Sequence, residues 1–227
     1  MPFLPDLNFF FQLDLLVGLV VAAALILLVA DWRIALYALT AQYVLTGLLL
    51  SQMILPSAAM LRVFSGALAT AILYITLRHL TEERRAALIQ QDGLPPVDWI
   101  EQLYRSEVFV VGFPFRFLAV LLVAVGIIGV ASSMTFLGLS AHVLFSGLWL
   151  IAAGILVAIM SREVVRLGLG IMLFTSGFCI LQSGIEPSLF LYGLLNISDL
   201  LLAVVISHLA SVTSEQVGPT HRRGEMS

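Results

Sequence analysis

The sequence predicts an all-α fold: a polytopic transmembrane helix bundle of about seven spans, with its N-terminus outside and its C-terminus cytoplasmic. Three observations predict it. Of 227 residues, 60% are hydrophobic and only 11% are charged, whereas a soluble domain of ordinary composition is about a quarter charged; the mean hydropathy is +1.06. The apolar residues fall into seven stretches, each near the roughly 20 residues that a helix needs to cross a bilayer. The arginines fall on one side of those stretches.

The stretches are 13–30, 34–54, 58–77, 115–132, 141–160, 164–182 and 188–210. The first follows a segment that carries Asp6 and Asp14 and lacks a positive leader, so it is expected to be retained as a span. Asp31-Trp32-Arg33 separates the first from the second, and Pro56-Ser57 the second from the third. Arg62 lies near the start of the third, where it is expected to snorkel to the outer interface, the alternative being a buried Arg on a gating or ion path. Ser132-Ser133 to Ser140, Ser161-Arg162 and Gly184 to Pro187 mark the later breaks.

All eleven basic residues are Arg. With the N-terminus outside, Arg33, Arg78, Arg84, Arg85, Arg105, Arg116, Arg162, Arg166, Arg222 and Arg223 face inward, and only Arg62 falls on the outer side. An even number of spans would put the basic tail outside, against the positive-inside rule.

The one long connection divides the chain. Residues 1–80 form a three-span half, 81–114 a cytoplasmic loop, 115–210 a four-span half, and 211–227 a tail that reads as disordered. Glu82-Glu83-Arg84-Arg85 followed by Ala-Ala-Leu-Ile predicts that the third helix continues past the membrane until Asp92-Gly93 and Pro95-Pro96 end it. Asp98 then caps a short amphipathic helix through Glu107, read as a linker resting on the membrane surface. Gly126 and Gly129, and Gly168 and Gly170, are candidates for close helix approach.

Asp199 is the sharpest feature. It sits within the last apolar stretch, where a carboxylate costs several kcal/mol unless it has a partner or a task. Desolvation favours the neutral acid there, unless an Arg or a chain of water compensates. A carboxyl group poised in that way carries protons; otherwise it is a structural hydrogen bond to a neighbouring helix. Asn196 lies on its face of the helix, and Thr175 and Ser176 lie midway along the preceding stretch. Such hydroxyls more often bond back to their own helix. Gln42 and Thr46, four apart, are candidates for interhelical hydrogen bonds of about 1 kcal/mol or less.

Other chemistries are not indicated. Cys179 is the single cysteine, so the chain has no internal disulfide and no CxxC pair. No P-loop, GxGxxG, HExxH or Cys/His metal spacing occurs, and no basic stripe points to nucleic acid. No catalytic, metal-binding or cofactor-binding residue is assigned. His79 and His208, at the inner ends of two spans, are the one pair that a b-type haem could use.

The helix pair SREVVRLGLGIMLFTSGFCIL and LYGLLNISDLLLAVVISHLA resembles the last two spans of the hydrogenase-4 component E family. That family is similar to the K subunit of complex I and to the C subunit of multisubunit sodium/proton antiporters. DWRIALYALTAQYVLTGLLLSQM and LRVFSGALATAILYITLRHL look like its second and third spans. The resemblance implies a non-catalytic membrane subunit of a complex-I-like or group 4 hydrogenase-like oxidoreductase in a prokaryotic cytoplasmic (inner) membrane. Its implied partners are antiporter-like membrane subunits and a soluble redox arm. The family's last-span acid falls on Asp199, while the acid of the preceding span falls on Thr175, which cannot ionise. The Lys that the family often carries in its third span has no counterpart near Ala69 and Thr70.

The resemblance therefore implies a proton relay through Asp199, lined by Asn196, Thr175 and Ser176. On this reading Asp199→Asn impairs translocation and leaves assembly intact. The alternatives are a structural adaptor without an ion path, in which even Asp199→Leu is tolerated, and an independent small transporter.

Overall fold

The computed structural model describes residues 7–29, 31–54, 56–92, 112–133, 139–161, 163–186 and 188–216. These form seven helices: α1 (Leu7–Leu28), α2 (Trp32–Leu50), α3 (Pro56–Asp92), α4 (Gly112–Ser133), α5 (Ala141–Met160), α6 (Val164–Ile185) and α7 (Leu189–Gln216). No strand occurs among the described residues. The helices α2 to α7 each contain a segment long and apolar enough to cross a membrane, and α1 adds a shorter apolar segment, Asp14–Leu28.

Helix ends follow local chemistry. Asp31 caps α2, its side chain accepting from the Arg33 N–H at 2.9 Å. The α3 helix continues to Asp92, as the charged run after Arg78 predicts, with Arg78 and Glu82 paired one turn apart at 2.9 Å. The amphipathic helix expected after Asp98 lies outside the described residues. Where a disordered tail was expected from Ser211, α7 instead continues to Gln216.

Large apolar side chains point outward as well as inward. Phe190 is 81% exposed, Ile159 76% and Phe64 70%. Water penalises such surface at roughly 25 cal/mol per Å², whereas hydrocarbon does not. Inside, one continuous apolar cluster draws on all seven helices, α4 through Ile127, so the three-helix and four-helix halves share a core.

Two registers set the geometry. The Thr76 and Ser207 hydroxyls lie 2.6 Å apart, and Ser65 donates to Asn196 Oδ1 at 2.8 Å; each pair is offset by 131 residues, so α3 and α7 run parallel along their length. The helices α5 and α6 run antiparallel with Gly147 facing Gly177 and Gly154 facing Gly170. A Cβ on Gly154 would stand 2.5 Å from the Gly170 carbonyl oxygen, and a Cβ on Gly170 would stand 2.7 Å from that of Gly154. Absence of side chains lets these backbones touch.

Only part of the sequence's glycine reading holds. Gly168 and Gly170 do meet neighbouring helices, Gly168 against Ile206 of α7. Gly126 and Gly129 do not: nothing would lie within 4 Å of a Cβ at either. They sit on α4, which packs along α5 and α1 and leaves Phe115, Leu118, Leu122 and Val125 exposed.

Candidate functional site

The site forms where α2, α3, α6 and α7 converge. Asp199 is fully buried, and so is Arg62 of α3, which lies 2.7 Å away, Nη1 to Oδ2. This corrects the expectation that Arg62 snorkels outward. Its long side chain turns into the bundle, because α7, packed parallel to α3, brings the Asp199 carboxylate and Asn196 within its reach, and α6 brings Ser176.

The guanidinium meets three oxygen acceptors. Besides Asp199, Nη1 donates to Asn196 Oδ1 at 3.3 Å and Nη2 donates to Ser176 Oγ at 2.6 Å. Its central carbon lies 4.8 Å from the centre of the Tyr43 ring, a distance suited to cation–π attraction. Arg stays protonated in proteins, so this buried cation demands an anion, and Asp199 supplies it.

The carboxylate is held equally closely. Oδ2 accepts from the Tyr43 hydroxyl at 2.9 Å as well as from Arg62, and Oδ1 accepts from Thr175 Oγ1 at 2.7 Å. Thr175 has one hydroxyl proton and two acceptors in range, its own Met172 carbonyl at 3.0 Å and the carboxylate. The carboxylate bond is shorter and charge-assisted, so it takes the proton. Ser176 does bond back to Met172 O, at 2.8 Å, which leaves its lone pairs to Arg62. Asn196 likewise donates to Tyr192 O at 2.8 Å and turns its carbonyl oxygen toward Arg62 and Ser65.

The structure thus gathers all four residues expected from the sequence, Asp199, Asn196, Thr175 and Ser176, into one cluster. It adds Arg62, which that reading favoured at the interface, and Tyr43 and Ser65, which it missed. Arg62 carried a usable signal, an Arg more than one turn inside an apolar helix. Tyr43 carried none, because a Tyr on an apolar helix is ordinary.

Gln42 and Thr46 do not bridge helices: Gln42 Nε2 donates to Thr46 Oγ1 at 3.2 Å within α2. His79 and His208 are exposed, and His79 Nε2 lies 3.5 Å from Glu83 Oε1. Cys179 is a free, buried thiol on α6, one turn beyond Ser176.

Chemically, the cluster is an ion pair closed in apolar surroundings, with a phenol and a hydroxyl on the anion and acceptors on the cation. It can hold charge at mid-helix and bind four helices to each other. Comparison of the chain with protein-family models, with curated proteins and with solved structures found no match.

Proposed function

We propose that this chain is a seven-span membrane subunit, N-terminus outside and C-terminus cytoplasmic, of a complex-I-like or group 4 hydrogenase-like oxidoreductase in a prokaryotic cytoplasmic membrane, and that the Arg62–Asp199 pair is a station in its proton translocation. The observation that carries this reading is the pair itself. Two opposite charges fully buried among membrane-type helices are costly to assemble, and intramembrane ionisable groups of that kind mark ion pathways. The resemblance of the last two helices to hydrogenase-4 component E supports the assignment to such an assembly. Where the family carries a second acid, Thr175 donates a hydrogen bond to the first. Arg62, from the third helix but seven residues before Ala69, supplies the cation of the pair, while the family's Lys position near Ala69 and Thr70 carries none.

A second reading has its own observation. Asp199 accepts from three helices at once, which is also what a purely structural clasp would do. The two readings separate by experiment. The tagged protein, extracted from its native membrane in mild detergent, is expected to bring antiporter-like subunits and a soluble redox arm with it, identified by mass spectrometry. A chain that emerges alone across several detergents removes the subunit reading. In the assembled complex, the double substitution Arg62→Gln/Asp199→Asn removes both charges while keeping hydrogen-bonding groups of similar shape. Protons moved per electron pair are expected to fall severalfold in that variant. Unchanged pumping would make the cluster a clasp.

A further inference from the structure

The cluster is not symmetric along the helix axes. Toward the end where α6 stops and α7 starts, polar side chains continue at helical spacing. On α6 they are Ser176, Cys179 and Ser183, in steps of three and four, with the exposed Glu186 just past the helix end. On α7, Tyr192 and Asn196 lead to Asp199 in steps of four and three, with Ser188 just before the helix starts. Both faces are the ones turned into the bundle: Ser176, Cys179, Ser183, Tyr192, Asn196 and Asp199 are all buried.

On the same side, two buried polar atoms lack a well-formed partner among the described residues. One is Arg62 Nε; the other is the Tyr192 hydroxyl, which has the Asn196 side chain and the Arg62 backbone beside it and whose ring packs with Cys179, Leu50 and Ala59. Buried groups of this kind are ordinarily satisfied by ordered water.

In the opposite direction the same faces turn apolar at once. Met172 and Leu169 follow on α6, Ala203 and Ile206 on α7, and Ala69 and Leu73 on α3, all buried. The hydroxyls near that layer are engaged: Thr70 bonds its own helix at Gly66 O, 2.9 Å away, and Thr76 meets Ser207 at 2.6 Å.

We infer that water reaches the Arg62–Asp199 pair from one side only, the end formed by the C-terminus of α6 and the N-terminus of α7, and that ordered water there binds Arg62 Nε and the Tyr192 hydroxyl and exchanges protons with Asp199. A proton taken up by an Asp199 oxygen comes from a hydronium in that chain and leaves a water molecule behind; its release reverses the step. In the topology proposed above, this side is the outer one. The inference rests on the relay reading of the pair and states which face feeds it.

Thiol labelling in native membranes tests it, because alkylation by N-ethylmaleimide needs a thiolate and thiolates need water. Cys179 is the chain's single cysteine, so the unaltered protein gives the first measurement, read as labelled fraction by mass spectrometry of the purified chain. Cys179 is expected to react. In a Cys179→Ala background, Ser183→Cys is expected to react at least tenfold faster than Ala203→Cys, with Ala69→Cys as the inner probe if Ala203→Cys does not fold. In sealed vesicles, a membrane-impermeant charged methanethiosulfonate is expected to block Ser183→Cys from the outer face only.

Equal rates at Ser183→Cys and the inner probe would overturn the inference. So would block from the inner face, or labelling of Cys179 and Ser183→Cys no faster than the inner probe. Those results leave the relay reading standing. Unchanged pumping in the double variant removes the relay reading whatever the labelling shows.

Discussion

Asp199→Asn alone is expected to destabilise the protein severely, and Arg62→Gln/Asp199→Asn to recover most of the loss. The single substitution leaves a guanidinium fully buried with no counter-charge, against two neutral acceptors, Ser176 and Asn196. Removing one partner of a buried pair costs about 3–5 kcal/mol, because the remaining charge keeps its desolvation penalty without the attraction that offset it. Removing both charges removes both penalties. The midpoint of thermal unfolding in detergent, with the monodisperse fraction after extraction, checks the order: wild type, then the double variant close below it, then the single variant far below.

That order differs from the sequence-based expectation, in which Asp199→Asn assembles normally and a structural adaptor tolerates Asp199→Leu. Both followed from placing Arg62 at the outer interface rather than against Asp199. A single variant as stable as the wild type would mean that Arg62 does not face Asp199 in the membrane. It also follows that lost pumping in Asp199→Asn alone is uninformative, and that the charge-neutral pair is the variant to assay.

Gly170→Val is expected to disrupt the bundle at α5 and α6 and to disassemble the cluster with it. The Cβ would stand 2.7 Å from the Gly154 carbonyl oxygen and 2.8 Å from the Ala158 nitrogen. Both are backbone atoms of a helix, so neither moves aside as a flexible side chain would. The helices must separate, and overpacking of this kind costs about 1–3 kcal/mol or more. The loss spreads because α6 carries Thr175 and Ser176, which hold Asp199 at 2.7 Å and Arg62 at 2.6 Å. Gly126→Val on α4 is the control, since nothing would lie within 4 Å of its Cβ. Comparing the unfolding midpoints of the two variants reads the effect directly. Equal midpoints would show that α5 and α6 do not meet through their glycines.

The sequence by itself determined the helical class and most helix boundaries. The stretch 141–160 coincides with α5, and 164–182 falls three residues short of the end of α6. Hydropathy, Asp31 as a cap, and the charged run that carries α3 past the apolar zone are local properties, and a helix is built from local hydrogen bonds. The sequence also pointed to Asp199, Asn196, Thr175 and Ser176, because a polar residue in an apolar stretch is conspicuous wherever its neighbours are.

Only the tertiary structure decided what those residues touch. Arg62 lies six residues after Pro56, a position that suits an interfacial Arg as well as a buried one; which of the two it is depends on the helix packed against that face. The parallel contact with α7 put Asp199 there, and α2 brought Tyr43 to the same carboxylate. The glycines divide for the same reason. Gly154 and Gly170 face a helix and Gly126 and Gly129 do not, although all four sit in apolar stretches. A residue's burial cost is set by its own chemistry, but the partner that offsets it is set by which distant segments meet.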